Sequence, residues 1–159
     1  MTRYAASTEV STERSRAEIE KLITRYGATS TAFMNAPGRA LIMFEAQDRR
    51  VVFELPLPEQ TDEAFKRTPT GREKRNPDSF YAAWEQACRQ RWRALALVIK
   101  AKLEAVETGI TTFEDEFLAH IVMPDGMTVG KHIKPNIAAM YASGKMQPLL
   151  PPPAKEKRP

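Results

Sequence analysis

Residues 39–55 read RALIMFEAQDRRVVFEL, and two strands joined by a turn account for this pattern. Residues 39–45 are rich in Leu, Ile, Met and Phe, which predicts a strand buried on both faces. In residues 50–55 every second side chain, at positions 51, 53 and 55, is apolar, which is the period of a strand with one buried face. Gln47-Asp48-Arg49 predicts the turn between them. One face of the second strand carries Val51, Phe53 and Leu55. The other face carries Arg50, Val52 and Glu54.

The preceding segment adds a third strand and a helix. Residues 31–34 form a short apolar run, and Asn35-Ala36-Pro37-Gly38 after it is a strong turn signal, so the three runs predict an antiparallel β-meander. Ser15-Arg16-Ala17-Glu18 has the spacing of a capping box. An apolar face at helical spacing follows, and Gly27 ends it, which predicts a helix over residues 15–26. That face consists of Ile19, Leu22, Ile23 and Tyr26.

The following segment predicts a long helix and then short ones. Asn76-Pro77-Asp78-Ser79 begins a stretch without a breaker that runs to Thr108. A short helix is expected from Thr112, with Phe113, Phe117, Leu118 and Ile121 packed inward, and a broken helical region over residues 128–142, kinked or split at Pro135. The apolar arc of the long helix holds Tyr81, Trp84, Cys88, Trp92, Leu95, Ile99, Leu103 and Val106.

These elements predict an α+β fold with an N-terminal helix, a three-stranded antiparallel meander, a long central helix and short C-terminal helices. One domain over residues 15–147 accounts for them. Residues 1–14 are expected to be flexible, and the Pro-rich basic tail over residues 148–159 to be disordered. Within the domain, residues 56–77 hold four prolines and predict a long basic loop with one helical turn at residues 62–65.

The composition argues against several classes of protein. The chain has 159 residues, of which 42% are hydrophobic and 28% charged, enough for a packed core without a disulfide or metal staple. The lone Cys88 predicts a reducing compartment. No apolar run approaches the roughly 18 residues of a membrane span, and residues 1–10 lack a signal-peptide pattern. We therefore expect no membrane contact and a cytoplasmic location, the host cytoplasm for a viral protein.

The residues that usually carry chemistry do not form a catalytic or metal site. His120 and His132 are the only histidines, without C-x-x-C or H-E-x-x-H spacing, and His120 fits a core or boundary position. Cys88 lies mid-helix on the apolar arc, where a thiol stays protonated and inert. The run Glu114-Asp115-Glu116 fits a solvated helix face, because consecutive helical residues do not face each other. We predict no enzymatic activity, no cofactor and no metal.

The net charge of +4 is unevenly distributed. Lysines and arginines at the density of the 56–77 loop neutralise phosphates and release counterions. The alternative is a solvated linker whose charge keeps it soluble. The basic residues of this loop are Lys66, Arg67, Arg72, Lys74 and Arg75, against the single Glu73 between Lys66 and Asn76.

A second cationic stripe follows the long helix at Arg89, Arg93 and Lys100. Such a stripe can follow a nucleic-acid backbone while aromatic rings stack on bases, although Trp84 and Trp92 lie on the apolar arc and fit the core better. Arg91 and Lys102 project near Trp84 on the apolar side. Either their stems lie along apolar surface, or their charges meet a carboxylate or a phosphate there.

Two sequence motifs suggest an origin. WEQACRQRWR at residues 84–93 and PDGMTVGK at residues 124–131 resemble small uncharacterised proteins of bacteriophage and prophage genomes. The resemblance covers most of residues 4–150 and implies a phage genome, with no catalytic residue to carry over. The element order also parallels that of the double-stranded-RNA-binding domain, but the long loop before the second helix and the lack of a basic cluster at its start depart from that pattern.

The first hypothesis is therefore a non-enzymatic accessory protein that binds DNA or RNA with weak sequence preference through residues 66–75 and 89–100. The second hypothesis is a protein-interaction module, such as an inhibitor of a host factor, that uses the apolar central helix or the C-terminal helices, and the third is an unrecognised enzyme. The wide apolar arc of the central helix further predicts a homo-oligomer.

Overall fold

A computed structural model describes residues 5, 7–68, 70–71, 74 and 76–150. The predicted α+β layout is confirmed in its element order. It comprises the helices α1 (Thr12–Arg25), α2 (Glu63–Lys66), α3 (Pro77–Glu107), α4 (Phe113–Phe117) and α5 (Val129–Ser143), and the strands β1 (Ser30–Ala36), β2 (Arg39–Ala46) and β3 (Arg49–Pro56). A 3-10 turn, Leu118–His120, follows α4.

The three strands form one antiparallel sheet in the order β1-β2-β3. Two-residue turns set the register: Ala36 pairs with Arg39 across Pro37-Gly38, and Ala46 pairs with Arg49 across Gln47-Asp48. Gly38 has φ +71°, the left-handed conformation that a type II turn requires after proline. Gln47 and Asp48 both have positive φ, as in a type I′ hairpin turn.

The core lies on one face of this sheet. Ile42 and Phe44 of β2 and Val51 and Phe53 of β3 pack with Ile19 and Ile23 of α1, with α3 and with α4. The prediction that β2 is buried on both faces is wrong, because alternate residues of this strand are only half-buried. The core cluster contains none of these alternate residues of β2, so the outer face of the strand is only partly covered.

Helix α1 begins earlier than the capping-box pattern predicts. Ser11 is the N-cap, and its hydroxyl accepts a hydrogen bond from the Arg14 amide, so three residues of the predicted flexible segment belong to the helix. Ser15, the predicted cap, is fully buried one turn inside α1. The Ser-x-x-Glu spacing occurs here within a helix, where its backbone amides already have helical partners.

Several details of the other helices also differ from prediction. Helix α5 runs unbroken through Pro135. Leu118, expected to pack inward, is exposed, because the chain tightens into the 3-10 turn at this residue. The start of the predicted disordered tail is held to α5, since the Asn136 side chain donates hydrogen bonds to the carbonyl oxygens of Pro148 and Leu149, each at 3.0 Å. Residues 151–159 of that tail lie outside the described residues.

Candidate functional site

The predicted long loop is anchored against the first half of α3. The Trp84 indole N–H donates a 2.8 Å hydrogen bond to the Pro58 carbonyl oxygen, which ties the loop to the helix. The rings of Phe65 in α2 and Phe80 in α3 meet edge to face at 6.4 Å. The predicted helical turn is confirmed as α2, whose first turn is capped by the Asp62 carboxylate. The segment that carries the basic residues after α2 therefore begins where the chain is packed against α3.

Two of the predicted cations lie opposite each other on a small hairpin. Arg67 and Lys74 pair as a single antiparallel bridge, and between them the Gly71 amide donates to the Thr68 carbonyl at 2.7 Å. The Arg67 Nη1 is 3.4 Å from the Gly71 carbonyl oxygen, so this guanidinium lies along the hairpin. Arg67 and Lys74 are both exposed. Arg72 and Arg75, also predicted as binding residues, lie outside the described residues.

Lys66 is partly neutralised by its own helix. Its ammonium group forms an ion pair with the Glu63 carboxylate one turn earlier in α2. That hydrogen bond is the main cause of a lowered Glu63 pKa. Both side chains are exposed, so the pair is weak and can exchange with another anion.

Arg91 lies across a cleft from the hairpin. The cleft, of about 520 Å³, separates α2 and the hairpin from α3 and is lined by Arg67 on one side and Arg91 on the other. Asp62, the α2 cap, contributes a carboxylate to the same cleft. Among the described residues no ion pair involves Arg91, whose side chain is exposed. Lys74 does not line the cleft but lies opposite Arg67 on the hairpin beside it, and we call the cleft together with this hairpin surface the basic cleft, with Arg67, Lys74 and Arg91 as its cations.

Lys102, for which the sequence allows either a stem along apolar surface or an anionic partner, pairs with a carboxylate. Its ammonium group lies 2.9 Å from a Glu116 carboxylate oxygen and 3.0 Å from the Glu116 carbonyl oxygen. It also lies 5.8 Å from the centre of the Phe117 ring. Lys102 therefore ties α3 to α4 and is not part of the basic cleft.

Two of the three predicted stripe residues are partly buried and have partners within the protein. Arg93 forms an ion pair with Glu18 of α1, which bridges the two helices. Arg89 donates two hydrogen bonds to the Gln86 side chain and lies 3.4 Å from Glu85. Lys100 is exposed, with no ion pair among the described residues. Helical spacing predicts a shared face, but it does not show that α1 lies along that face.

The aromatic residues of α3 divide between core and surface. Trp92 is only 2% exposed and packs with Phe33 at 6.3 Å between ring centres, so it is a core residue. Trp84 is half-buried and its indole N–H is already bonded to the loop. Tyr81, one turn before Trp84, is half exposed and contacts the Trp84 ring at 5.5 Å. Tyr81 is thus the aromatic ring of α3 that remains accessible near the loop.

The two histidines lie in different local environments. His120 is half-buried and stacks on Phe53 with 4.0 Å between ring centres, and its pKa is lowered chiefly by burial and also by Lys102. His132 Nε2 lies 2.8 Å from a carboxylate oxygen of Asp125. No group of three His, Cys, Asp or Glu side chains with metal-binding geometry occurs within the part of the chain that the structure describes.

Cys88 lies on the core side of α3. Its side chain is buried, and burial, followed by the nearby Glu85, raises the pKa of its thiol. A raised pKa keeps the thiol protonated at neutral pH, which makes it a poor nucleophile. This agrees with its predicted inert character.

Comparisons with known proteins give no relative. No protein-family model matches the sequence, and no curated protein or solved structure is similar to it. Among the described helices none is long and apolar enough to span a membrane.

Proposed function

We propose that the protein is a non-enzymatic accessory protein that binds DNA or RNA through the basic cleft, with weak sequence preference. The observation that supports this is the cleft between the hairpin, which carries Arg67 and Lys74, and α3, which carries Arg91. These three charges are exposed, and no ion pair among the described residues neutralises them. Cations of this kind bind phosphates, which are the same for every base, so the sequence preference should be weak.

Two neighbouring features support the same proposal. Lys66 adds a fourth cation beside the hairpin, and its exposed pair with Glu63 can give way to a phosphate. Tyr81 offers an accessible ring on which a base can stack, a contact that tolerates any base. The resemblance of residues 84–93 and 124–131 to phage proteins adds a phage origin and action in the host cytoplasm to the proposal.

The roles of the predicted stripe residues differ under this proposal. Arg89 and Arg93 are already held by Gln86 and Glu18, and a phosphate would have to displace these partners. We therefore expect the Arg93→Ala variant to lose stability between α1 and α3 more than binding affinity. Lys100 remains exposed and extends the surface by one charge.

A salt titration tests the proposal. The triple variant Arg67→Ala, Lys74→Ala, Arg91→Ala removes three charges, and Arg14→Ala, Lys21→Ala, Lys145→Ala is its matched control, because it removes three other exposed charges. Binding of labelled single-stranded and duplex oligonucleotides is measured by anisotropy at several salt concentrations. Each lost phosphate contact should reduce the slope of log K against log salt by about 0.9 for duplex DNA and about 0.7 for single strands.

In the first variant the slope of log K against log salt should decrease by the amount that two to three phosphate contacts contribute. In the control the slope should remain unchanged. Equal losses in both variants would mean that net charge alone drives binding. An affinity that does not depend on salt, or the absence of binding at low salt, would rule out nucleic acid as the partner. Adding Arg72→Ala and Arg75→Ala to the first variant then tests the remaining predicted cations of the loop.

A second candidate function rests on the exposed end of α5. Tyr141 is 89% and Met146 88% exposed, and Ile137 and Leu149 lie beside them in an apolar depression. Exposed apolar clusters of this kind mark protein-interaction surfaces. A protein-interaction module would lose its partner on a Tyr141→Glu, Met146→Glu change and keep it in the basic-cleft variant.

A further inference from the structure

The face of the sheet that points away from the core carries apolar side chains. The strand register places Ala32, Met43 and Val52 in one row, with Met34 and Leu41 in the next. An antiparallel sheet with one face toward water normally carries polar residues there. None of these five residues belongs to the buried core cluster. The outer face of the sheet therefore departs from the pattern of a solvated surface.

Part of this face forms the floor of a groove of about 530 Å³. Its floor is formed by Leu41, Met43 and Val52, and its wall by the 3-10 turn and the first turns of α5. Gly130 allows the wall to be narrow, since a Cβ atom at this position would lie 2.7 Å from the Ala119 carbonyl oxygen. Helix α5 therefore lies close against the 3-10 turn, and its first turns border the outer face of the sheet on the β3 side.

The rim of the groove has a net positive charge. Among the described residues four cations and one carboxylate, Glu54, line it, and Glu54 is shared by Arg39 Nη1 at 3.2 Å and Lys131 Nζ at 3.4 Å. The hydrogen bond from Arg39 is the main cause of a lowered Glu54 pKa, so this carboxylate is ionised at neutral pH. The other two cations are Arg50, which pairs with Glu45 at 2.8 Å, and Lys134. Four positive and two negative charges leave a net charge of +2.

We propose that this groove binds a small amphipathic anion. The apolar body of the ligand lies on Leu41, Met43 and Val52, and its carboxylate or phosphate group faces Lys131 and Lys134. The volume lies within the range of about 300 to 1,000 Å³ for small-molecule sites, which combine an apolar lining with a few convergent polar groups. The groove shares no lining residue with the basic cleft, so this proposal does not depend on nucleic-acid binding.

Both parts of the groove are needed to select this ligand class. A free inorganic anion would leave the apolar floor in contact with water, and a neutral hydrocarbon would leave the excess positive charge without a partner. A ligand that carries both groups buries apolar surface and gains a charge-assisted contact at the rim. Rim charges that are open to solvent contribute modestly, so most of the affinity should come from the floor and most of the selectivity from the lysines.

A series of ligands with one chain and different head groups provides the test. Decanoate, decyl phosphate, decanol and decyltrimethylammonium are titrated into the full-length protein below their micelle concentrations. Calorimetry gives the affinities, and amide chemical shifts locate the site. We expect both anions to bind about ten-fold more tightly than decanol and the cation not to bind, with shifts in β2, β3 and the first turns of α5. The ratio of decanoate to decyl phosphate affinity identifies the preferred head group.

Two sets of variants separate the rim from the floor. Lys131→Ala, Lys134→Ala should weaken the two anions about ten-fold and leave decanol unchanged, whereas Arg14→Ala, Lys145→Ala, with the same loss of charge, should change neither. Met43→Thr, Val52→Thr keeps residues that favour strands and should weaken all ligands that bind. Equal affinity of decanol and the anions, shifts confined to the apolar end of α5, or no binding by any ligand would each overturn the proposal.

Discussion

His120 lies half-buried against β3, with its ring stacked on that of Phe53. Its pKa is lowered from the ordinary value of 6.5, first by burial and then by the nearby Lys102. A lowered folded-state pKa means that the unfolded chain binds the proton more readily. The stabilising contribution of the neutral ring is therefore complete above pH 6.5 and decreases as the pH falls below that value.

We predict that replacing His120 by Gln reduces the pH dependence of stability. The urea concentration at the unfolding midpoint of the wild type should decrease when the pH is lowered from 7.5 to 5. That decrease should be smaller in the variant, because Gln does not titrate. The carboxylates with lowered pKa values, Glu45, Glu54 and Glu63, affect stability mainly at more acidic pH. Equal decreases in both proteins over this range would contradict the assigned role of His120.

At the scale of single residues, the sequence predicts side chains well where their own element determines the environment. Cys88 and Trp92 were expected on the core side of α3 and are found there. For Arg91 and Lys102, helical spacing is compatible both with a stem along apolar surface and with an anionic partner. Lys102 pairs with Glu116 and Arg91 lines a cleft opposite Arg67, and both neighbours come from other segments of the chain.

At the scale of elements, α5 shows the limit of reading one segment by itself. Proline inside a helix normally breaks or kinks it, and the sequence predicts a helical region that is kinked or split at Pro135. The helix instead continues to Ser143, with Pro135 exposed, so the carbonyl group that loses its donor one turn earlier can bond to water. The first turn of α5 is held by Gly130 against the Ala119 carbonyl, a contact that spans two elements.

A Gly130→Ala change should destabilise the protein, although the same substitution usually stabilises a helix. In an isolated helix alanine is favoured over glycine by about 1 kcal/mol. Here the added Cβ would meet a backbone oxygen at 2.7 Å, so we expect a loss of about 1–3 kcal/mol in the free energy of unfolding. Urea unfolding measures the loss, and amide hydrogen exchange should be faster selectively within α5. A gain in stability would show that the two elements are not in close contact.

At the scale of the whole molecule, α3 has a surface facing away from the sheet. Ala94, Val98 and Ala101 are exposed along it, whereas Trp92, Leu95, Ile99 and Leu103 are buried on the core side. These three exposed residues lie outside the apolar arc, whose members other than Tyr81 are buried or half-buried. The sequence-based expectation of a homo-oligomer thus remains a proposal, and this uncovered face is the surface that we assign to it.

We predict a dimer that pairs through this face of α3. Light scattering should give about twice the 18.0 kDa mass of the chain. Val98→Glu, Ala101→Glu should produce a monomer with an unchanged helical signal, because buried unpaired carboxylates oppose association. Ala82→Glu, at an exposed position near the start of α3, is the control and should remain dimeric. A wild-type monomer at micromolar concentration would disprove the prediction.

The sequence by itself determined the elements of this protein and their order. Periods of two and of 3.6 residues, and turn signals such as Pro37-Gly38, depend on interactions between near neighbours, which a linear pattern contains. The tertiary structure alone decided which cations are neutralised and which face each other. Arg93 pairs with Glu18 and Arg91 lies across from Arg67 because α1 and the anchored loop pack on different sides of α3. Such contacts join residues far apart in the chain, and their geometry follows from the packing of whole elements around one core.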